Sequence, residues 1–299
     1  MDPPATGKLI DTFFTWMQVH HHEKAGSGGQ SVPVINPTET MSHKSLAIAF
    51  TAFISAAPPL FGATGVGAKP IDGAEVIIDG TRETLDQKWT YWEGPGFKSA
   101  MPIKWKIVED PVDKGGALQT DDRAADGGKY GAADIVTKKP YRDFRLHVEF
   151  LIMKPGGNSG VYLQNRYEIQ VLDGDKTKHG MGAVINETES PYHVYNGLGK
   201  WNSYDIVFRA ARFKDGKLSE KARLTMYFNG IKVHTNQTIS QVWGGAKSGI
   251  DGGNDGGKGI TDTPGGLKLQ CEGHDVRYRN TWIKELDLKD PDTDFDAAE

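Results

Sequence analysis

Along much of the chain, apolar and polar side chains alternate one for one. In "DFRLHVEFLIM" (143–153), Phe144, Leu146, Val148 and Phe150 fall on one side, with Arg145, His147 and Glu149 on the other. A period of two belongs to a strand with one buried face. "YEIQVLDGD" (167–175) repeats it: Tyr167, Ile169 and Val171 alternate with Glu168 and Gln170, ahead of an acidic turn. Further short runs are "WKIVED", "ADIVTKK", "SGVYLQN", "SYDIVFRA", "ARLTMYFNGIKVHTN", "GLKLQCEG" and "VRYRNTWIKELDL", bounded by Gly, Asn, Asp or Pro clusters. Asn229-Gly230, between two apolar runs, predicts a tight hairpin. After residue 70 no long segment carries helical spacing, and no phosphate-binding or dinucleotide-binding glycine pattern precedes a helix. Many short strands separated by turn signals predict an all-β protein, an antiparallel β-sandwich of the concanavalin or laminin-G type (a jelly roll).

The first seventy residues break this pattern. Residues 1–40 are polar and Gly/Ser-rich, as in "QVHHHEKAGSGGQSVP", and predict a disordered extension upstream of the native start. The adjacent His20, His21 and His22 are expected to be incidental. From Met41 the layout is that of a secretory signal peptide. His43 and Lys44 give a basic start, an apolar run spans Leu46 to Ala57, and small residues follow. That run is too short to span a bilayer. The expected organisation is therefore an extension over 1–40, a signal peptide and linker over 41–68, a sandwich domain over 74–289 and a tail over 290–299. The mature domain is expected to start near residues 58–70 and to be secreted or periplasmic, with no membrane association beyond export.

Composition narrows the function. The net charge is −4, 37% of residues are apolar, and 37 residues are glycine, which suits a loop-rich β protein. No basic patch stands out, so nucleic acid is not an expected partner. Cys271 is the sole cysteine, so no internal disulfide forms, and it is expected to be a buried inert thiol. The segment 244–266 has ten glycines in 23 residues and only partly matches a calcium loop, so it is expected to be a flexible surface loop.

Candidate chemistry lies on the polar faces of the strands. Glu168 and Gln170 are two apart and share a face. Asn158 follows Gly156-Gly157, where the backbone allows close approach. "KLQCEGHDVRYRN" adds Gln270, His274, Arg277 and Arg279, and Lys268 shares a face with Gln270. Rows of Glu, Gln, Asn and Arg with flat apolar surfaces suit a sugar, and Trp89, Trp92, Tyr130 and Trp201 can supply those surfaces. A packing role for each aromatic stands beside that reading.

These segments carry a resemblance. Asp143-Phe144, Glu149-Phe150, Asn158-Ser159-Gly160, Tyr167-Glu168, Gln170 and Leu172-Asp173 resemble the signature block of the 3-keto-disaccharide hydrolase family. "WNSYDI" (201–206), "FNGIKV" and "GLKLQCEGHDVRYRNTWIKEL" are similar to its later elements, and the likeness runs in order from about Gly80 to Leu288. The resemblance implies a concanavalin-like sandwich acting on glycosides whose C3 hydroxyl is already a ketone. That ketone acidifies the C2 proton. Its removal lets the C1 substituent leave, and water adds to the resulting enone. Such chemistry needs a base near C2, donors to the enolate oxygen and an acid at the leaving oxygen. Glu168 is the expected base, or a ligand if a metal polarises the ketone. Gln170, Asn158 and Arg279 are expected to hold hydroxyls and the enolate oxygen, together with Gln270 and Trp201. His274 or Asp173 is the expected acid. Structural roles stand beside these, a strand-end bond set for Arg279 and a turn for Asp173. No cofactor is expected, although the oxygen ligands would suit Ca²⁺.

Two other classes remain. "EIQVLD" imitates the carboxylate spacing of a laminarinase-type retaining β-glucanase. For Asp173 to reach Glu168's face, a bulge is needed, and a retaining pair needs carboxyls about 5 Å apart. A non-catalytic carbohydrate-binding module would use the same polar face without a base.

Overall fold

The computed structural model describes residues 62–92, 102–120, 134–242 and 259–297. All of them belong to one compact unit, residues 55–299. The expected extension, the signal peptide core, Tyr130 and most of the glycine-rich segment lie outside the described residues.

The elements in chain order are β1 (Glu75–Ile78), α1 (Arg82–Lys88), β2 (Trp89–Tyr91), β3 (Lys106–Glu109), β4 (Gly116–Gln119) and β5 (Ile135–Thr137). Then come β6 (Asp143–Ile152), β7 (Asn158–Leu163), β8 (Tyr167–Leu172), β9 (Asn202–Arg209) and β10 (Arg212–Lys214). The last are β11 (Lys217–Glu220), β12 (Ala222–Phe228), β13 (Ile231–Ile239), β14 (Lys268–Leu269) and β15 (Val276–Leu286). Eight strands form a large sheet in the order β13-β12-β9-β6-β15-β4-β3, with β1 also paired to β15. Five form a small sheet in the order β2-β5-β14-β7-β8. All named pairings are antiparallel. The fold is the expected antiparallel β-sandwich. The helix α1 was not legible from periodicity: seven residues give one buried apolar position, Leu85, and its start is set by the Thr81 cap.

The hairpin at Asn229-Gly230 joins β12 to β13 with φ of +50° and +80°. Two successive positive φ values are what a two-residue turn between twisted strands requires.

The inner faces form one core. Phe144, Leu146, Val148 and Phe150 of β6, Tyr204, Ile206 and Phe208 of β9 and Tyr278 of β15 face Val161, Leu163, Tyr167, Ile169, Val171 and Leu269 of the small sheet. Two tyrosine hydroxyls end in polar tethers across this core. Tyr204 Oη donates to the Gln170 carbonyl at 2.6 Å, and Tyr278 Oη pairs with Ser159 Oγ at 2.6 Å. They fix β7 and β8 against the large sheet.

The other face of β6 was expected to be the wet one, but it is buried as well. Arg145, His147, Glu149 and Asp205 are all shielded from solvent. The chain ahead of β1 covers them. The Gly65 amide donates to Asp205 at 2.8 Å and the Gly67 amide to Glu149 at 2.6 Å. Asn280 Nδ2 and Trp282 Nε1 both donate to the Ala68 carbonyl. From the other end, Phe295 packs on Tyr227 and lies under the Arg145 guanidinium. Residues before Ala74 and after residue 290 thus pack on the outer face of the large sheet. Alternation alone could not show this, because a polar strand face looks the same whether water or charged partners satisfy it.

Burial pushes the Glu149 carboxyl up, but hydrogen bonds from His147, Asn280, the Gly67 amide and Arg279 outweigh it and hold the pKa at about 2. The folded value lies below the ordinary 4.5. Its stabilisation is therefore complete above that value and is lost as pH falls toward 2. Glu149→Gln is expected to cost about 3 kcal/mol at pH 7 and progressively less below pH 4. Denaturant titrations at pH 7 and pH 3 check this, and equal losses at both would refute it.

Candidate functional site

The small sheet turns its second face away from the core, and its register builds a grid there. Lys268 of β14 pairs with Tyr162 of β7, and Tyr162 pairs with Glu168 of β8. These three side chains form one row across three strands. In the next row Gly160 pairs with Gln170, and the Gln270 amide donates to the Gly160 carbonyl at 3.0 Å. Asn158 begins β7, opposite Leu172.

The first row is a chain of contacts. Tyr162 is hydrogen-bonded to Glu168, and Gln270 Nε2 donates to Tyr162 Oη at 3.0 Å. Lys268 Nζ lies 3.8 Å from the Tyr162 ring centre and 4.5 Å from that of Trp92. It also binds Asp134 Oδ2 at 2.9 Å. The second Asp134 oxygen accepts from the Cys271 amide at 2.8 Å. The buried cation is thus paired with a carboxylate and enclosed by two aromatic faces.

Gly160 lies against the Glu168 carboxyl in the middle of the grid. A Cβ there would lie 2.4 Å from Glu168 Oε1 and 2.8 Å from the Tyr162 ring. Only glycine lets the Glu168 carboxyl occupy this position undisturbed. Asn158 Nδ2 donates to Glu272, while Asn158 Oδ1 and Gln270 Oε1 are buried without a partner. Asn158, Glu272 and His274 are half-buried and Gly273 is exposed, so this side of the patch reaches solvent.

Burial dominates the Glu168 carboxyl and raises it. The Tyr162 hydrogen bond and Lys268 pull it down, Glu272 and Asp134 push it up, and the result is about 8. A carboxyl poised there is a stronger base than a solvated one once ionised, and an acid while protonated.

The structure brings Glu168, Gln170, Asn158 and Gln270 to one patch. It does not bring Arg279 or Trp201. Both lie on the outer face of the large sheet, beyond the core. Arg279 binds Glu149 at 2.7 Å, Asp110 at 2.5 Å and Asp113 at 2.6 Å. Its guanidinium stacks 4.3 Å above Trp201, whose Nε1 donates to Asp110. Arg279 borders a cleft of about 370 Å³ there with Glu149, Asp110 and Asn280. β15 belongs to the large sheet, so its polar face looks away from Glu168. Trp89 is core, with Nε1 donating to the Ile77 carbonyl at 2.7 Å, and of the expected tryptophans only Trp92 reaches the patch.

Asp173 takes the turn role. Its carboxylate accepts from the Gly156 amide and the Tyr192 hydroxyl, both at 3.1 Å. The β7–β8 register runs unbroken from Asn158↔Leu172 to Leu163↔Tyr167. The bulge that a retaining carboxylate pair needs is absent. His274 accepts at its carbonyl from Thr120 and the Val276 amide, and its Nδ1 is buried without a partner. Among the described residues no three His, Cys, Asp or Glu side chains come together as a metal site.

Sequence reasoning missed Tyr162, Gly160, Asp134 and Glu272, and passed over Lys268. Parity held the signal for most of them. Tyr162 and Gly160 share the face of Asn158, and Lys268 and Glu272 lie two on either side of Gln270. Asp134 carried no such signal, because it precedes β5 and acts through a non-neighbour.

The fold and this patch define a β-sandwich carrying a buried acid–phenol–lysine row on its small sheet. The chain belongs to the family of 3-keto-alpha-glucoside-1,2-lyase-like domains, whose model matches residues 73–284. With that family goes the broader class of carbohydrate-active enzymes. No curated protein matches the chain. Among solved structures, the chain is similar to a protein of Parabacteroides distasonis described as a "putative glycosyl hydrolase". The identity is 24%, with 83% of this chain and all of the other covered and a TM-score of 0.57. A second protein of that organism with the same description shares 20% identity over 71% of this chain and all of its own, with a TM-score of 0.43. A carbohydrate-binding module of Bacillus subtilis shares 12% over 70% of this chain and 97% of its own, with a TM-score of 0.34.

Because the folded pKa of Glu168 lies above its ordinary 4.5, the folded state keeps a proton that the unfolded chain releases. Stability therefore falls as pH rises from about 4.5 to 8, by up to about 1.4 kcal/mol per pH unit from this group. Glu168→Gln removes that slope and is expected to be more stable than the parent at pH 9. Parallel stability–pH curves for the two proteins would sink this assignment.

Proposed function

We propose that this chain cleaves glycosides carrying a ketone at C3, by elimination and hydration. One observation carries the reading: a carboxyl poised near pH 8, Glu168, in a row with a phenol and a lysine. Ionised Glu168 takes the proton from C2, and the electron pair becomes the enolate of the C3 ketone. Collapse of the enolate forms the C1–C2 double bond and expels the C1 oxygen, which takes up a proton. Water then adds at C1 of the enone, its released proton restoring the acid that protonated the leaving oxygen, and the proton held by Glu168 returns to C2. Lys268 supplies the positive charge near the enolate that was expected of Arg279, and Tyr162 holds the Glu168 carboxyl in place. His274, with its unpartnered Nδ1 at the rim, is the remaining candidate for the acid at the leaving oxygen.

Incubation with a 3-keto-glucoside and, separately, its parent glucoside tests this. Release of the aglycone from the keto compound alone is expected, and kcat/KM should rise with pH to a limb near 8 that Glu168→Gln abolishes together with turnover. Cleavage of the parent alone, or binding of the keto compound without turnover, would refute it. The second outcome is that of a carbohydrate-binding module.

Export is part of the same proposal and rests on the basic-then-apolar pattern from His43 to Ala57. Because Gly65 and Gly67 are built into the large sheet's outer face, cleavage is expected between residues 57 and 64. N-terminal sequencing of the mature protein from the periplasm or medium checks this, and a start beyond Gly67 would contradict it.

A further inference from the structure

Gln270 has an asymmetric environment. Its Nε2 is committed to Tyr162 Oη at 3.0 Å, while its Oε1 is buried with no partner. The side chain is 5% exposed. A buried amide oxygen left without a donor costs about 1–3 kcal/mol, so this oxygen is an acceptor that a hydroxyl donor would satisfy. The amide is also not free to turn over. Tyr162 has one proton and gives it to the Glu168 carboxyl. Its oxygen can then only accept, which forces Gln270 to offer Nε2 to Tyr162 and Oε1 to the other side. Asn158 shows the same polarity. Glu272 takes its Nδ2, and its Oδ1 is buried without a partner. Two acceptors of one sign thus belong to the patch around Gly160.

We propose that Gln270 and Asn158 form an acceptor pair that selects sugars by hydroxyl donors on the carbons flanking the ketone. The hydrogen bond that Tyr162 gives to the residue at 168 sets the polarity of Gln270. This rests on the reading of the patch as a sugar site. It assigns Gln270 as a specificity residue and Tyr162 as the residue that positions it. A ligand lacking one of these hydroxyls leaves a buried acceptor unpaired, which is the arrangement that discriminates most strongly between close analogues.

Binding is measured by calorimetry in the full chain carrying Glu168→Gln, which cannot turn over and still accepts from Tyr162. The ligands are a 3-keto-glucoside, its analogues lacking the hydroxyl at C2 or at C4, and the unoxidised parent. The keto compound is expected to bind more tightly than at least one deoxy analogue, by roughly tenfold to a hundredfold. Adding Gln270→Met, which keeps the length and removes the acceptor, should bring that ratio to within about twofold. Adding Tyr162→Phe should also lower it although Gln270 is intact, because the amide is then free to turn. A purely structural role for Tyr162 would weaken all ligands alike and leave the ratio unchanged. An unchanged ratio in both variants, no discrimination in the starting protein, or no binding of any of the sugars would overturn the proposal. If the parent glucoside binds as tightly as the keto compound and the hydroxyl ratio still collapses in Gln270→Met, the acceptor pair stands and the ketone chemistry fails.

Discussion

Strands β7, β8 and β14 cannot bury one face without committing the other. Val161, Leu163, Tyr167, Ile169, Val171 and Leu269 fill the core, so the pleat sends Tyr162, Glu168, Gln170 and Lys268 to the opposite side. A slip of one residue would exchange the two sets. The Tyr204 and Tyr278 hydroxyls oppose such a slip by binding Gln170 and Ser159 through the core. The geometry of the polar patch is therefore held by the apolar side of the same strands. The large sheet, which contributes none of the patch's side chains, fixes their place.

Two glutamates show how environment decides chemistry. Glu149 and Glu168 are both buried on the outward face of a strand. Glu149 accepts from a backbone amide, an asparagine, a histidine and an arginine, and settles at about 2. Glu168 has one hydrogen-bonding phenol and a lysine already paired with Asp134, while Glu272 and Asp134 oppose its charge, and it settles at about 8. The desolvation is of the same kind in each case, and the donors decide the outcome. One carboxylate is locked as an anion that binds the start of the domain to the sheet. The other can exchange a proton near neutral pH. This separation of a lowered from a raised carboxyl is the pattern expected where acid–base chemistry takes place.

The sandwich, its strands and the Asn229-Gly230 hairpin were legible because they depend on local rules: period two, turn residues and backbone φ. The grouping of Glu168, Gln170, Asn158 and Gln270 was legible for a related reason. All four lie on outward faces of strands whose apolar partners must point inward. Arg279 and Trp201 were misplaced because parity gives a face and not a sheet. Only the pairing of β15 with β6 and β4 puts Arg279 on the far side of the core. Lys268 was visible as a polar residue beside Gln270. Its enclosure by Trp92 and Tyr162, and its pairing with Asp134 across 134 positions of sequence, were not.

The sequence by itself determined the strand pattern, the family and the outward set of polar residues that includes Glu168, since each follows from a short-range repeat or a contiguous motif. The tertiary structure alone decided which polar face is buried under the chain ends and which holds the carboxyl raised to about 8. It also decided that Tyr162 and Lys268, not Arg279, flank Glu168. The reason is that proton affinity in a buried site depends on the charges and donors within a few ångströms. Those neighbours come from strands brought side by side only when the sheet forms.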